Sequence, residues 1–142
     1  MFDIIQLKRY PTETPGSLCT INDPYFKDIE YGIVKCNRHV TSKQKERVAS
    51  YYKFPRWAWN TVEFDHLIPL GIGGSNNDDN LWPQPGPTGY GEAHEKDIIE
   101  MQAYNLLRYQ NGTQAEAAQL ICNWLNNQYN PIVYYNISSW GL

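Results

Sequence analysis

Glu63-Phe64-Asp65-His66-Leu67-Ile68-Pro69-Leu70, followed by Gly73-Gly74, Asn80-Leu81-Trp82-Pro83 and His94-Glu95-Lys96-Asp97, is the stretch that decides the fold. Residues 61–67 are rich in β-branched and aromatic side chains and read as a short strand. Residues 68–77 hold a proline, three glycines and two asparagines, which makes a turn-rich loop. Asn80-Leu81-Trp82 reads as a second short strand, and Pro83 to Gly91, with three prolines and three glycines, as a connector. A helix follows from about Glu92 to Tyr109. Ile98, Met101 and Leu106 supply its apolar stripe, and Glu92, Glu95 and Asp97 suit the positive end of its dipole. Asn111-Gly112 ends it. An Asp-His pair thus closes a strand, an Asn opens the returning strand, and a His enters from the first turns of a helix.

Upstream, residues 1–40 read as irregular, with turns at Pro15-Gly16 and Asn22-Asp23-Pro24. Thr41 with Gln44 has capping-box spacing and starts a helix over 41–53, whose apolar face is Val48, Tyr51 and Tyr52; Pro55 stops it. Downstream, Thr113 and Glu116 repeat that spacing and open a helix over 114–128, with Ala117, Leu120, Ile121, Trp124 and Leu125 inward and Asn130-Pro131 closing it. The tail from Ile132 to Trp140 reads as a strand or a packed arm. The Pro/Gly run at 83–91 is too short to separate two cores, so residues 1–142 read as one α+β domain with its central motif at about 61–110.

The chain has 142 residues, 42% hydrophobic and 19% charged, which excludes disorder as a reading of the whole. No run approaches the ~18 apolar residues of a membrane span. Net charge is −3, unevenly spread. Residues 31–56 carry Lys35, Arg38, Lys43, Lys45, Arg47, Lys53 and Arg56 against Glu46 alone. This basic segment suits a phosphate-binding face, or equally a solvated helix face. Trp57, Trp59 and Trp82 read as core rather than base-stacking platforms. Three cysteines allow at most one internal bridge. Cys19 and Cys36 lie in a stretch where a staple would order a loop, and Cys122 reads as a small buried hydrophobe. Met1 to Tyr10 lacks a signal-peptide pattern, so a secreted or periplasmic location requires a signal already removed, and a cytoplasmic one holds otherwise.

The combination of Asp65-His66-x-x-Pro69-Leu70, the Gly73-Gly74 turn and Asn80-Leu81-Trp82-Pro83 resembles the HNH family of ββα-metal nucleases, and in particular a group of small, often exported bacterial HNH proteins. The resemblance covers most of the chain and is strongest over residues 62–97. It implies a ββα-metal core with flanking helices and an irregular N-terminal segment. It also implies an endonuclease that hydrolyses DNA phosphodiester bonds with little sequence preference. The alternatives are a ribonuclease or general nuclease with the same site, and a catalytically defective nucleic-acid-binding module.

Phosphodiester hydrolysis needs an activated water and a neutralised developing charge. On the resemblance, His66 is the general base and Asn80 fixes the loop around it, while Asp65 and His94 ligate one divalent cation. A hard ion is expected there, Mg²⁺ first and Mn²⁺ second. With His39, His66 and His94 the only histidines, a three-histidine Zn²⁺ or Ni²⁺ site is disfavoured. Glu63, two residues before Asp65, shares its strand face, where it orients a ligand or stands exposed. Lys53, Arg56 and Lys96 are the expected phosphate contacts. The expected partner is DNA, with RNA the alternative. Neither a membrane nor an oligomer is implied, and an inhibitor protein is not readable.

Overall fold

The structure is a computed structural model that describes residues 13–86, 91–128 and 134–142, leaving aside the side chains of residues 91–93 and 128. The readings made for residues 1–12, for 87–90 of the connector and for Asn130-Pro131 and Ile132 lie outside it. The chain is α+β, with two small antiparallel sheets and helices.

The first sheet falls where the sequence reads as irregular. Strands β1 (Phe26–Glu30) and β2 (Ile33–Cys36) pair antiparallel around Tyr31-Gly32. Both turn residues have positive φ, 55° and 75°, the backbone of a primed two-residue hairpin turn. Tyr-Gly lacks the Asn-Gly signature of that turn, and β1 is almost wholly exposed, so neither a turn signal nor an alternation marks the hairpin. A Cys19–Cys36 disulfide ties the end of β2 to the preceding loop. Cys122 is buried and free.

Helix α1 (Ser42–Tyr51) is capped by the Thr41 hydroxyl, which accepts from Gln44 N at 3.1 Å. The Gln44 side chain does not return the bond and donates instead to the carbonyl of Asn76. Val48, Ala49 and Tyr52 are buried, while Tyr51 stays exposed with its hydroxyl 3.5 Å from Asp78 Oδ2.

The second sheet pairs β3 (Val62–His66) with β4 (Leu81–Pro85). The β4 strand runs through Pro83 and Pro85, further than the connector reading allows. Leu67 N donates to Asn80 O at 2.8 Å and Gly86 N to Thr61 O at 3.0 Å. Counting inward in twos from these bonds puts Pro83 opposite Phe64 and Pro85 opposite Val62 at positions where no ladder N–H is required. Prolines that look like breakers therefore cost this edge strand nothing.

Helices α2 (Gly91–Tyr109) and α3 (Gln114–Gln128) pack on each other. Thr113 and Glu116 form the reciprocal cap, with bonds of 3.1 and 3.0 Å. The α2 stripe differs from the expected one. Ala103 and Leu107 are buried and Leu106 packs partly buried on the same core as expected, whereas Ile98 and Met101 are exposed. In α3, Ala117, Ile121, Trp124 and Leu125 are buried as a face. They join Ile33, Leu67, Ile68, Ile72 and the tail residues Tyr135 and Trp140 in one core. A second core holds Val48, Tyr52, Phe54, Val62, Phe64, Leu81 and Trp82. Each fully buried Ile or Leu contributes about 1.5–3 kcal/mol relative to exposure. The tail ends in a short 3₁₀ turn, Ile137–Trp140, packed on α3. Among the described residues no helix is long and apolar enough to cross a membrane.

Candidate functional site

The site is built at the end of the β3–β4 hairpin, where residues 67–80 make a compact loop. Two glycines let it close. Gly73 has φ +102°, and a Cβ on Gly74 would lie 1.8 Å from Ile68 O. Asn80 then locks the loop from inside. It is fully buried; its Nδ2 donates to Ile68 O at 3.1 Å and Ser75 O at 2.8 Å, and its Oδ1 accepts from Ile68 N at 3.0 Å and Ser17 N at 3.4 Å. A side-chain amide alone offers two donors and an acceptor in one plane, which is what these backbone groups need.

His66 closes β3 and is 4% exposed. Its Nε2 lies 2.9 Å from Asn76 Oδ1. The orientation of the Asn76 amide is fixed by backbone groups of known polarity: Nδ2 donates to Asn37 O at 2.7 Å and Oδ1 accepts from His39 N at 3.0 Å. An oxygen therefore faces His66, so Nε2 carries the proton and Nδ1 is the lone-pair nitrogen. Burial pushes the imidazole pKa below its ordinary value. The Asn76 bond and the Asp65 charge oppose that shift, and Arg38 and Lys96 reinforce it. The ring is held neutral, in one tautomer.

Asp65 faces the other way, as alternation along a regular strand requires. Its carboxylate Oδ2 is ion-paired with the ammonium of Lys96 on α2. The same Nζ donates to His66 O at 2.6 Å and lies 3.1 Å from Glu100 Oε1. Lys96 is 1% exposed. Burial disfavours its charge, but the flanking carboxylates outweigh that and hold its pKa above the ordinary value. Burial pushes the Glu100 carboxyl up, against the pull of Lys96.

This arrangement does not fit the divalent ion that the resemblance implies. The two expected ligands, Asp65 and His94, are not brought together. Lys96 points at β3, so His94, two residues earlier, projects about 200° around the helix from it. It is exposed. Among the described residues no group of three His, Cys, Asp or Glu is placed to hold a metal. A Mg²⁺ or Mn²⁺ on the Asp65 carboxylate would stand beside a buried ammonium, a repulsion of about 8 kcal/mol at ~4 Å and an effective dielectric near 20. Lys96, an expected phosphate contact, is enclosed, with its ammonium bonded to Asp65, His66 O and Glu100.

The remaining cations lie nearer the surface. A cleft of ≈ 290 Å³ is lined by Arg38, Lys45, Trp59, Glu63 and Asp65, together with Val62 and Phe64. Four consecutive β3 residues line it, as the unpaired edge of a two-stranded sheet allows. The Arg56 guanidinium stacks 4.2 Å from the Trp59 ring centroid, Trp57 is 74% exposed, and Lys53 is exposed in a left-handed conformation (φ 52°). Of the three tryptophans read as core, Trp82 is fully buried, Trp59 is half-buried and Trp57 is outside.

Sequence reasoning missed Asn76 and Glu100, and it named Arg38 and Lys45 only as members of the basic segment. Glu100 had a readable signal, since it lies four residues after Lys96 on a helix. Asn76 had none beyond being one turn asparagine among several. No family model, curated protein or solved structure matches the chain, so the HNH resemblance rests on the residues quoted for it.

Proposed function

We propose that the chain is a nucleic-acid phosphodiester hydrolase of HNH type, a ββα endonuclease acting on DNA with little sequence preference. One observation carries the reading. His66 is fixed by Asn76 as a neutral imidazole with its proton on Nε2, at the end of a hairpin whose loop Asn80 locks. An imidazole so held can take a proton at Nδ1 from water. The water oxygen then bonds to phosphorus as the P–O bond to the leaving nucleotide breaks, and the leaving oxygen takes a proton from solvent. Arg38 and Lys45 in the cleft, with Arg56 stacked on Trp59 nearby, supply cations for the phosphate backbone. Contacts of that kind give affinity without sequence reading, and they weaken with salt.

The test is nicking of supercoiled plasmid at low salt, in Mg²⁺, Mn²⁺ and excess chelator, with wild type and His66→Ala and with RNA in parallel. Wild type is expected to nick, and His66→Ala to lose at least about a hundredfold while keeping its circular dichroism spectrum. Equal activity in the two proteins, or none in wild type under every condition, refutes the reading. A second reading, nucleic-acid binding without cleavage, is favoured by the ion pair that already engages Asp65. It predicts salt-sensitive binding with no nicking.

A further inference from the structure

The junction between the end of β3 and α2 contains a cation that belongs to the chain. The Lys96 ammonium donates to Asp65 Oδ2 and to His66 O and pairs with Glu100, so its three protons meet three oxygens. An ammonium holding a strand-end carboxylate, a strand-end carbonyl and a carboxylate one helical turn on does there what a bound metal ion does: it neutralises the carboxylates and fixes the helix to the strand. We propose that Lys96 is the resident cation of this junction and that the chain binds no divalent metal at Asp65. Lys96 is accordingly a positioning residue. It sets where the His66 backbone sits by holding its carbonyl, and it touches no substrate.

The inference explains an otherwise odd choice of residues. A lysine almost never becomes fully buried unless paired. Here it is paired twice, by carboxylates on two different elements, β3 and α2 itself. The ionisable and charged groups facing it are Asp65 and His66 from β3 and Glu100 from its own helix. With Lys96 in place the cluster holds one firm positive charge. Without it, Asp65 and Glu100 face each other across the vacated space, and that pair is what a divalent ion would seek.

The test is a titration of the full chain with Mn²⁺ alone, read by water-proton relaxation, which reports bound manganese whether or not the protein has activity. Wild type is expected to show no saturable site that depends on Asp65. Lys96→Gln, which keeps most of the side-chain volume and removes the charge, is expected to gain Mn²⁺ affinity at Asp65 and Glu100 by roughly tenfold or more. A saturable wild-type site that Asp65→Asn abolishes overturns the inference, and this arm needs no Lys96 variant to fold. A wild-type site that survives Asp65→Asn lies elsewhere and leaves the inference standing. Lys96→Gln that folds but gains nothing counts against it.

The outcome is separable from the hydrolase reading. Metal-dependent nicking together with an Asp65-dependent Mn²⁺ site overturns the inference and leaves the hydrolase. Absence of all nicking overturns the hydrolase, while the titration still decides whether Lys96 holds the junction.

Discussion

Replacing Asn80 with alanine should open the loop that positions His66. The side chain makes two donor bonds and one good acceptor bond to buried main-chain groups, and the fourth contact, to Ser17 N at 3.4 Å, is long. Truncation orphans Ile68 N, Ile68 O and Ser75 O. An orphaned buried group costs about 1–3 kcal/mol, and water entering the vacated space recovers part of it, so the expected net loss is about 4 kcal/mol. For a chain of this size that lowers the melting temperature by roughly 10 °C. Urea unfolding followed by tryptophan fluorescence measures it, with Asn80→Asp as the companion. The aspartate has the same shape but sets an oxygen against the carbonyls of Ile68 and Ser75. It must therefore hold a proton to fold, with a folded pKa raised above the ~3.9 of the unfolded chain. Below that value the proton is bound in both states and no charge is buried. As pH rises toward 7 the unfolded state releases the proton first, and stability falls by about 1.4 kcal/mol per unit until the folded pKa is reached. An Asn80→Ala midpoint within experimental error of wild type, or an Asn80→Asp stability that does not fall between pH 4 and 7, would refute the claim that this amide holds the loop.

Gly74→Ala drives a Cβ into Ile68 O and should cost about 3 kcal/mol or more. Gly32→Ala meets open space at φ +75° and should cost only about 1 kcal/mol of backbone strain; equal melting temperatures for the two would count against the close approach. Reducing the Cys19–Cys36 bridge, separated by 17 residues, should remove about 3 kcal/mol, measured as urea stability with and without reductant. The lowered His66 pKa makes the unfolded chain bind more protons as pH falls below the ordinary imidazole value of 6.5, so stability should decline between pH 7 and 5.5, by at most about 1.4 kcal/mol per unit. His66→Asn should flatten that slope, and an unchanged slope would show that the ring titrates as freely folded as unfolded.

The elements legible in the sequence are those whose signal is local. The β3 strand, with its β-branched and aromatic run, and α3, with its reciprocal Thr113–Glu116 cap, lie where the residues put them. The β1–β2 hairpin was hidden because an exposed strand has no alternation to show. The extent of β4 was hidden because a proline's effect on a strand depends on which way its missing N–H would point, and register decides that. Gln44 illustrates the same limit. Its spacing from Thr41 is right for a capping box, yet the side chain finds a better acceptor in Asn76 O, a group brought near only by tertiary packing.

The candidate site turned on helix phase. Residue type favoured His94 as the side chain that α2 offers to β3. A helix can present only one of two positions separated by two residues to a single neighbour, because they diverge by about 200°. The apolar residues that fix the phase are Ala103 and Leu107, both buried against the core, rather than Ile98 and Met101. Counting back from Leu107 in steps of three and four reaches Ala103, Glu100 and Lys96, and passes over His94. The same count sends a lysine, long enough to span the gap and charged enough to hold Asp65, into the space between strand and helix. Once that phase is set, Asp65 is engaged by Lys96, and His66, on the opposite strand face, bonds to Asn76 and feels the charges of Asp65, Arg38 and Lys96. On the proposed reading, hydrolysis at this hairpin starts from the imidazole, and the phosphate is held by cations that the chain itself carries.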